Sequence, residues 1–236
     1  MKQIELNGQL ITYTVRESRR AQRARLQISP HKGLELIVPA GLVSEQEHET
    51  MLRQKTDWIL ANLRQRPAFL TGDTLSFLGD PHTLELIATP NGKRTTVARQ
   101  GQTLRIRLKA NLAAAERQDT ITRALQNWYK NQARHYLPQR VSEIATQHGF
   151  NGVGEVTIRG QRTRWGSCSS RGNLSLNWRL MMVLPSAIDY IIIHELCHLL
   201  EMNHSPRFWA LVAQYCPDYQ QWRRYLKNPQ LVDSRL

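Results

Sequence analysis

His194-Glu195-Leu196-Cys197-His198 is the stretch of this sequence whose residue types and spacing carry chemistry. On a helix, positions i and i+4 lie one turn apart on the same face, so imidazoles at 194 and 198 can share one tetrahedral metal ion, zinc above all. Glu195 then sits about 100° round the helix from His194, beside the metal and off it. A carboxylate there is placed to take a proton from a metal-bound water, whose pKa zinc lowers to about 7. Such a site needs a third protein ligand. His204 is the candidate, with Glu201, three residues past His198, as its competitor. Cys197 falls about 60° from His194 on the wheel and is a poorer partner than a histidine at i+4.

The elements around this motif have to place it. Pro185 and Ser186 begin a helix that the spacing carries to about Glu201, and AIDYIIIHELCHLL is apolar nearly all round, so the helix is expected to be buried. Two histidines and a glutamate left unpaired there would each cost about 1–3 kcal/mol, and one metal ion accounts for all three. His204 cannot bind on a continuing helix, because six residues past His198 is about 240° away. The chain must turn first. Asn203 tolerates the left-handed conformation that ends a helix; Ser205 and Pro206 suit the cap and first position of the next. Helices are expected over 205–215 and 217–226, with Phe208 and Trp209 packing behind the site.

Upstream, Val153–Arg159 and Leu174–Trp178 read as strands separated by a Gly/Ser/Arg-rich stretch. Residues 113–148 read as helical, with Pro138 expected to kink or break the run. Before that come mostly strands: 4–6 and 10–15 about Asn7-Gly8, 24–28 and 34–38 about His31-Lys32-Gly33, then 75–78, 83–88, 94–98 and 104–108. One helix, capped by Ser44, is expected to reach Leu63. No internal repeat is evident. The expectation is an α+β chain with a β-rich domain over 1–112 and a second domain over 113–236 that carries the chemistry.

The chain has 236 residues and a net charge of +13, from 32 Lys+Arg against 19 Asp+Glu, with 25 Arg to 7 Lys. Arginine favours planar, bidentate recognition of phosphate or carboxylate. The excess admits an anionic ligand, a nucleotide or nucleic acid as partner. Clusters stand at Arg16, Arg19, Arg20, Arg23 and Arg25, at Arg159, Arg162 and Arg164, and at Arg223 and Arg224. Three cysteines without a Cys-x-x-Cys pair exclude a disulfide scaffold and a zinc ribbon. No apolar run approaches the ~18 residues of a membrane span, and the N-terminus lacks a signal-peptide pattern. A cytoplasmic location and no membrane partner are expected.

His194-Glu195-Leu196-Cys197-His198 with Asn203-His204-Ser205 and Phe208-Trp209, Arg164-Trp165-Gly166-Ser167-Cys168 with Leu174-Ser175-Leu176-Asn177, and Arg19–Arg25 with Leu34–Pro39 and Trp58-Ile59 together resemble the YgjP-like metallopeptidases, a SprT-related branch of the zincins. The resemblance implies a zincin-like fold, one zinc ion on His194, His198 and His204, Glu195 as general base, and a peptide or protein substrate. It further implies an edge strand that pairs with extended peptide. Leu174, Ser175, Leu176 and Asn177 are the candidates for that strand, with an interior strand as the alternative reading, and Arg164 stands beside them. Arg164, Arg179, Tyr219 and Tyr225 are candidates for stabilising an oxyanion. The expected activity is peptide-bond hydrolysis. A nucleotide or phosphate-ester hydrolase on the same site, or a nucleic-acid-associated SprT-like protease, are the alternatives.

Overall fold

Alternating apolar residues and tight turns build two small sheets before any long helix appears. The computed structural model describes residues 2–29, 33–40, 45–63, 68–90, 94–161 and 163–236. The expected Ser44 cap, the His31-Lys32 part of the second turn and Arg162 lie outside the described residues. By its internal contacts the chain divides between Ala68 and Phe69, not near residue 112.

The first unit is a four-stranded sheet, in the order β1 (Lys2–Leu6), β2 (Gln9–Ser18), β4 (Gly33–Pro39), β3 (Arg25–Ser29). Two helices, α1 (Glu45–Gln54) and α2 (Thr56–Leu63), follow where one was expected; the break falls at Lys55, whose N–H bonds back to Leu52. Leu52 and Ile59 close a small core over Ile4, Leu6, Tyr13 and Leu34.

The second unit opens with a sheet of the same design: β5 (Thr74–Phe77), β6 (Asp80–Thr89), β8 (Thr103–Lys109), β7 (Thr96–Gln100). In both sheets an antiparallel hairpin is followed by a second, and the inner strands pair in parallel. The registers coincide too. Leu6 faces Gln9 as Phe77 faces Asp80, and Tyr13 lies against Leu34 as Leu84 lies against Leu104. Six buried residues occupy equivalent places in the two sheets: Ile4, Leu6, Tyr13, Leu34, Leu36 and Val38 against Leu75, Phe77, Leu84, Leu104, Ile106 and Leu108. The chain therefore carries an internal repeat of topology with few residue identities, Leu34 and Leu104 among them.

Helix α3 (Ala114–His148) follows and runs through Pro138 unbroken. Its buried face, from Ile121, Leu125, Tyr129 and Ala133 to Leu137, Val141 and Ile144, belongs to one core on both sides of the proline, and that packing outweighs the lost N–H. Gly149 ends it in the left-handed conformation, φ 70°, with its N–H on the last carbonyls. A three-stranded sheet comes next, β9 (Val156–Arg159), β10 (Gly166–Cys168) and β11 (Leu174–Asn177), then a 3₁₀ helix over Trp178–Met182, and helices α4 (Pro185–Cys197), α5 (Pro206–Tyr215) and α6 (Tyr219–Tyr225). No helix among the described residues is long and apolar enough to cross a membrane.

The strands before α3 belong with this unit because they hold its central helix. The β5–β6 turn, Leu78-Gly79, has both residues at positive φ (53° and 85°). Leu78 N–H donates to the Met181 carbonyl at 2.7 Å, and Ser76 Oγ donates to the Met182 carbonyl at 2.6 Å. Tyr129 of α3 donates to the Ser76 carbonyl at 2.6 Å. Arg140 of α3 forks onto Asp189 of α4 at 2.7 and 2.8 Å. A Cβ on Gly79 would stand 2.5 Å from Leu184 Cδ2, at the cap of α4. Gly101 also has positive φ but would meet nothing within 4 Å. Gly79→Ala should therefore cost about 1–2 kcal/mol of backbone strain plus about 1–3 kcal/mol of overpacking. Gly101→Ala should cost the strain alone. Urea unfolding of the two variants separates these terms, and equal losses would show that the turn does not brace α4.

Candidate metal centre

Helix α4 is buried on nearly every side, as its sequence predicts: Ala187, Ile188, Tyr190 to Ile193, Glu195, Leu196 and Cys197 are all inside. Pro185 occupies its first turn. The helix ends earlier than the spacing suggests, with His198 as its C-cap in right-handed geometry. The next N–H groups fold back one turn, Leu199 to Leu196, and Leu200 and Glu201 to Cys197. Asn203 does not adopt the left-handed conformation. The corner is instead closed by Ser205 N–H on the Asn203 carbonyl at 2.7 Å, a three-residue turn. Ser205 Oγ then accepts from Phe208 N–H and starts α5 as expected.

That corner brings His204 back over the helix. Its Nε2 lies 3.0 Å from His194 Nε2, and ligand atoms of His194, His198 and His204 all fall within 4.8 Å of one another. Two nitrogens at zinc-ligand distance in a tetrahedron stand about 3.3 Å apart, so the donor set fits a small divalent ion. The protonation states fit as well. His198 Nδ1 donates to the Glu201 carbonyl at 3.1 Å; since a carbonyl only accepts, this leaves the Nε2 lone pair for a metal. Burial, then the neighbouring His198 and His204, push His194 down to about 3, so its ring is neutral and its lone pair available. The buried His194 Nδ1 has no hydrogen-bond partner among the described residues. Glu201 lends its backbone to His198, while its carboxylate faces Arg207 at 4.0 Å. Cys197 is fully buried and outside the cluster.

Phe208 lies within all three rings. It stacks on His198 at 4.5 Å and meets His194 and His204 edge-on at 4.9 and 4.8 Å.

Glu195 is 4% exposed and lines a cleft of about 410 Å³ with Arg164, Trp165, Gly166, Cys168, Tyr190 and the three histidines. Burial pushes its carboxyl up to about 7, against the opposing pull of the Arg164 charge and the Cys168 N–H that donates to it. A carboxyl poised there can take up and give back a proton near neutral pH.

The structure corrects the expected substrate strand. β11 (Leu174–Asn177) is the central strand, antiparallel to β10 and parallel to β9. Leu174 and Leu176 are buried, and the Ser175 hydroxyl is enclosed without a partner among the described residues. Asn177 caps the 3₁₀ helix through Arg179 N–H and donates to the Gln161 and Arg164 carbonyls at 2.7 and 3.0 Å; it holds the loop of Arg164 and does not face the cleft. The strand lining the cleft is β10, inside the Gly/Ser/Arg-rich stretch. The Trp165 carbonyl accepts from Asn177 N–H of β11 and Ser169 N–H donates to the Asn173 carbonyl just before it, so by alternation the backbone groups of Gly166 and Cys168 point away from β11. Small residues without strand propensity hid this strand from sequence reasoning.

Of the four oxyanion candidates, only Arg164 lines the cleft. Arg179 reaches the Leu236 carbonyl at 2.8 Å, Tyr219 stacks on Trp209, and Tyr225 packs on Trp222. Tyr190, which sequence reasoning passed over, does line it. It stands one turn before His194, and that i−4 spacing was the available signal. Gly166 was also missed. A Cβ there would lie 2.5 Å from Glu195 Oε1, so only glycine admits the carboxylate. Gly166→Ala should leave bound metal unchanged by elemental analysis and lower hydrolytic turnover by about 100-fold or more. Full activity in that variant would show that the carboxylate position is not critical.

Two metallopeptidase zymogens of known structure are similar to part of the chain. Abylysin of Pyrococcus abyssi is 23% identical, with TM-score 0.36, over 40% of this chain and 95% of its own. Jannalysin of Methanocaldococcus jannaschii is 22% identical, with TM-score 0.34, over 39% of this chain and 97% of its own. The search of curated proteins gave no match. The model of the YgjP-like metallopeptidase domain matches residues 22–229, nearly the whole chain, and the protein belongs to that family.

Proposed function

We propose that this metallopeptidase-family chain hydrolyses peptide bonds at a zinc centre held by His194, His198 and His204, with Glu195 as general base. The observation that carries the reading is the convergence of three imidazole nitrogens beside a buried carboxylate in one cleft. Zinc bound there supplies Lewis acidity, polarising a carbonyl and making water easier to deprotonate. Glu195 takes the proton from the attacking water and delivers it to the leaving amine. The Cys168 N–H and the Arg164 charge favour the ionised carboxylate that accepts the proton, and burial favours the protonated carboxyl that then delivers it. The outward backbone groups of Gly166 pair with an extended peptide across the open edge of β10.

Arg164 favours a second reading. It is the only Lys or Arg among the described residues lining the cleft, and it suits a phosphate or carboxylate on the substrate. An anionic small molecule, such as a nucleotide, is the alternative substrate class for the same machinery.

A quenched-fluorescence peptide library and a nucleoside triphosphate panel, each given to zinc-loaded protein, decide between the two. Peptide cleavage, without triphosphate hydrolysis, is expected. Glu195→Gln should remove turnover by about 100-fold or more while retaining zinc, and His204→Ala should lower zinc content. Near-wild-type turnover in Glu195→Gln would exclude the mechanism.

A further inference from the structure

We propose that Trp209 is a positioning residue that sets the ring of His204 for metal binding; the inference rests on His204 being a ligand. The three histidines are held in different ways. His194 is fixed within α4, and His198 caps that helix with its Nδ1 tied to the Glu201 carbonyl. His204 has neither support. It is exposed, lies between helices, and has no hydrogen bond to its Nδ1 among the described residues. Its orientation comes from ring packing.

Trp209 supplies the broad surface. The His204 ring stacks on it with centroids 5.7 Å apart and planes 25° apart. Trp209 is itself braced from α6. Tyr219 stacks on it at 5.5 Å and 21°, and the Arg223 guanidinium lies 4.6 Å over its ring, a cation–π contact. Trp222 Nε1 donates to Asp218 at 2.8 Å and secures the start of α6. The chain is thus continuous: α6 orients the indole, and the indole orients the one ligand that no backbone element holds. Phe208 touches all three rings from the core, whereas Trp209 is only half-buried. Trimming the indole therefore removes a partly buried face of the core and no fully buried side chain.

Zinc affinity measured by chelator competition tests this on the full chain, for wild type, Trp209→Phe, Trp209→Ala, His204→Ala and the Trp209/His204 double variant. Residues that orient zinc ligands are worth about 10- to 100-fold in metal affinity, and Trp209→Ala should lose that much. Trp209→Phe, which keeps a stacking face, should lose less. In the His204→Ala background, Trp209→Ala should lose much less, because only its tilted contact with the helix-held His194, 5.7 Å between centroids, remains. The visible spectrum of the cobalt-substituted protein should shift in Trp209→Ala. Wild-type affinity in Trp209→Ala, or an equal loss with and without His204, would overturn the proposal. Unchanged affinity in His204→Ala would instead overturn the ligand assignment itself. Should Trp209→Ala not fold, Trp209→Leu carries the same comparison.

Discussion

A neutral imidazole pair and a carboxyl inside an apolar helix are the constraint on which the catalytic unit depends. α4 is wrapped in hydrocarbon, yet it carries His194 and Glu195 on buried turns and His198 at its end. Each polar group left alone there would cost about 1–3 kcal/mol. Each is answered by a different element: Glu195 by the Cys168 N–H of β10, His198 by the Glu201 carbonyl, and His194 Nε2 by His204 across the corner. His194 Nδ1 is the remaining exception. The lengths of the corner and of β10 follow from these obligations, since a residue added to either would move a partner out of reach.

What could be read from the sequence was what depends on short-range spacing. An i, i+4 histidine pair, an apolar helix and a Ser-Pro helix start each speak within a few residues, and the ligand atoms of His194, His198 and His204 lie within 4.8 Å of one another. What escaped depends on partners far away in sequence. Gly166 matters because Glu195, on another element, needs the space of a missing Cβ. Leu174–Asn177 has better strand character than Gly166–Cys168, but which strand lies at the edge is decided by β9, and β9 pairs on the side away from the cleft. Pro138 should end a helix by local rules, and a core continuous on both sides of it overrules them.

The repeated four-stranded scaffold was illegible for a related reason. A sheet position asks only for an apolar residue of about the right size, so Leu6 and Phe77, or Tyr13 and Leu84, fill equivalent places without identity. Register survives where sequence does not, because a slip of one residue would turn every inward side chain to the opposite face. The second copy falls in the unit that begins at Phe69. That copy shares its buried residues with α3 and α4.

The two copies differ where one of them has acquired a task. In the first sheet the hairpin turn is Asn7-Gly8, with φ of 48° and 75°. Asparagine accepts left-handed geometry at little cost. In the second sheet the same turn is Leu78-Gly79, and a leucine in that conformation costs about 1–2 kcal/mol. Local chemistry gives no reason for the exchange. The Met181 carbonyl, which receives the Leu78 N–H, and the core against which the leucine packs do give one. The turn has been made worse as a turn and better as a clamp on the segment leading into α4. The second sheet thereby holds the segment leading into the helix that carries His194, Glu195 and His198.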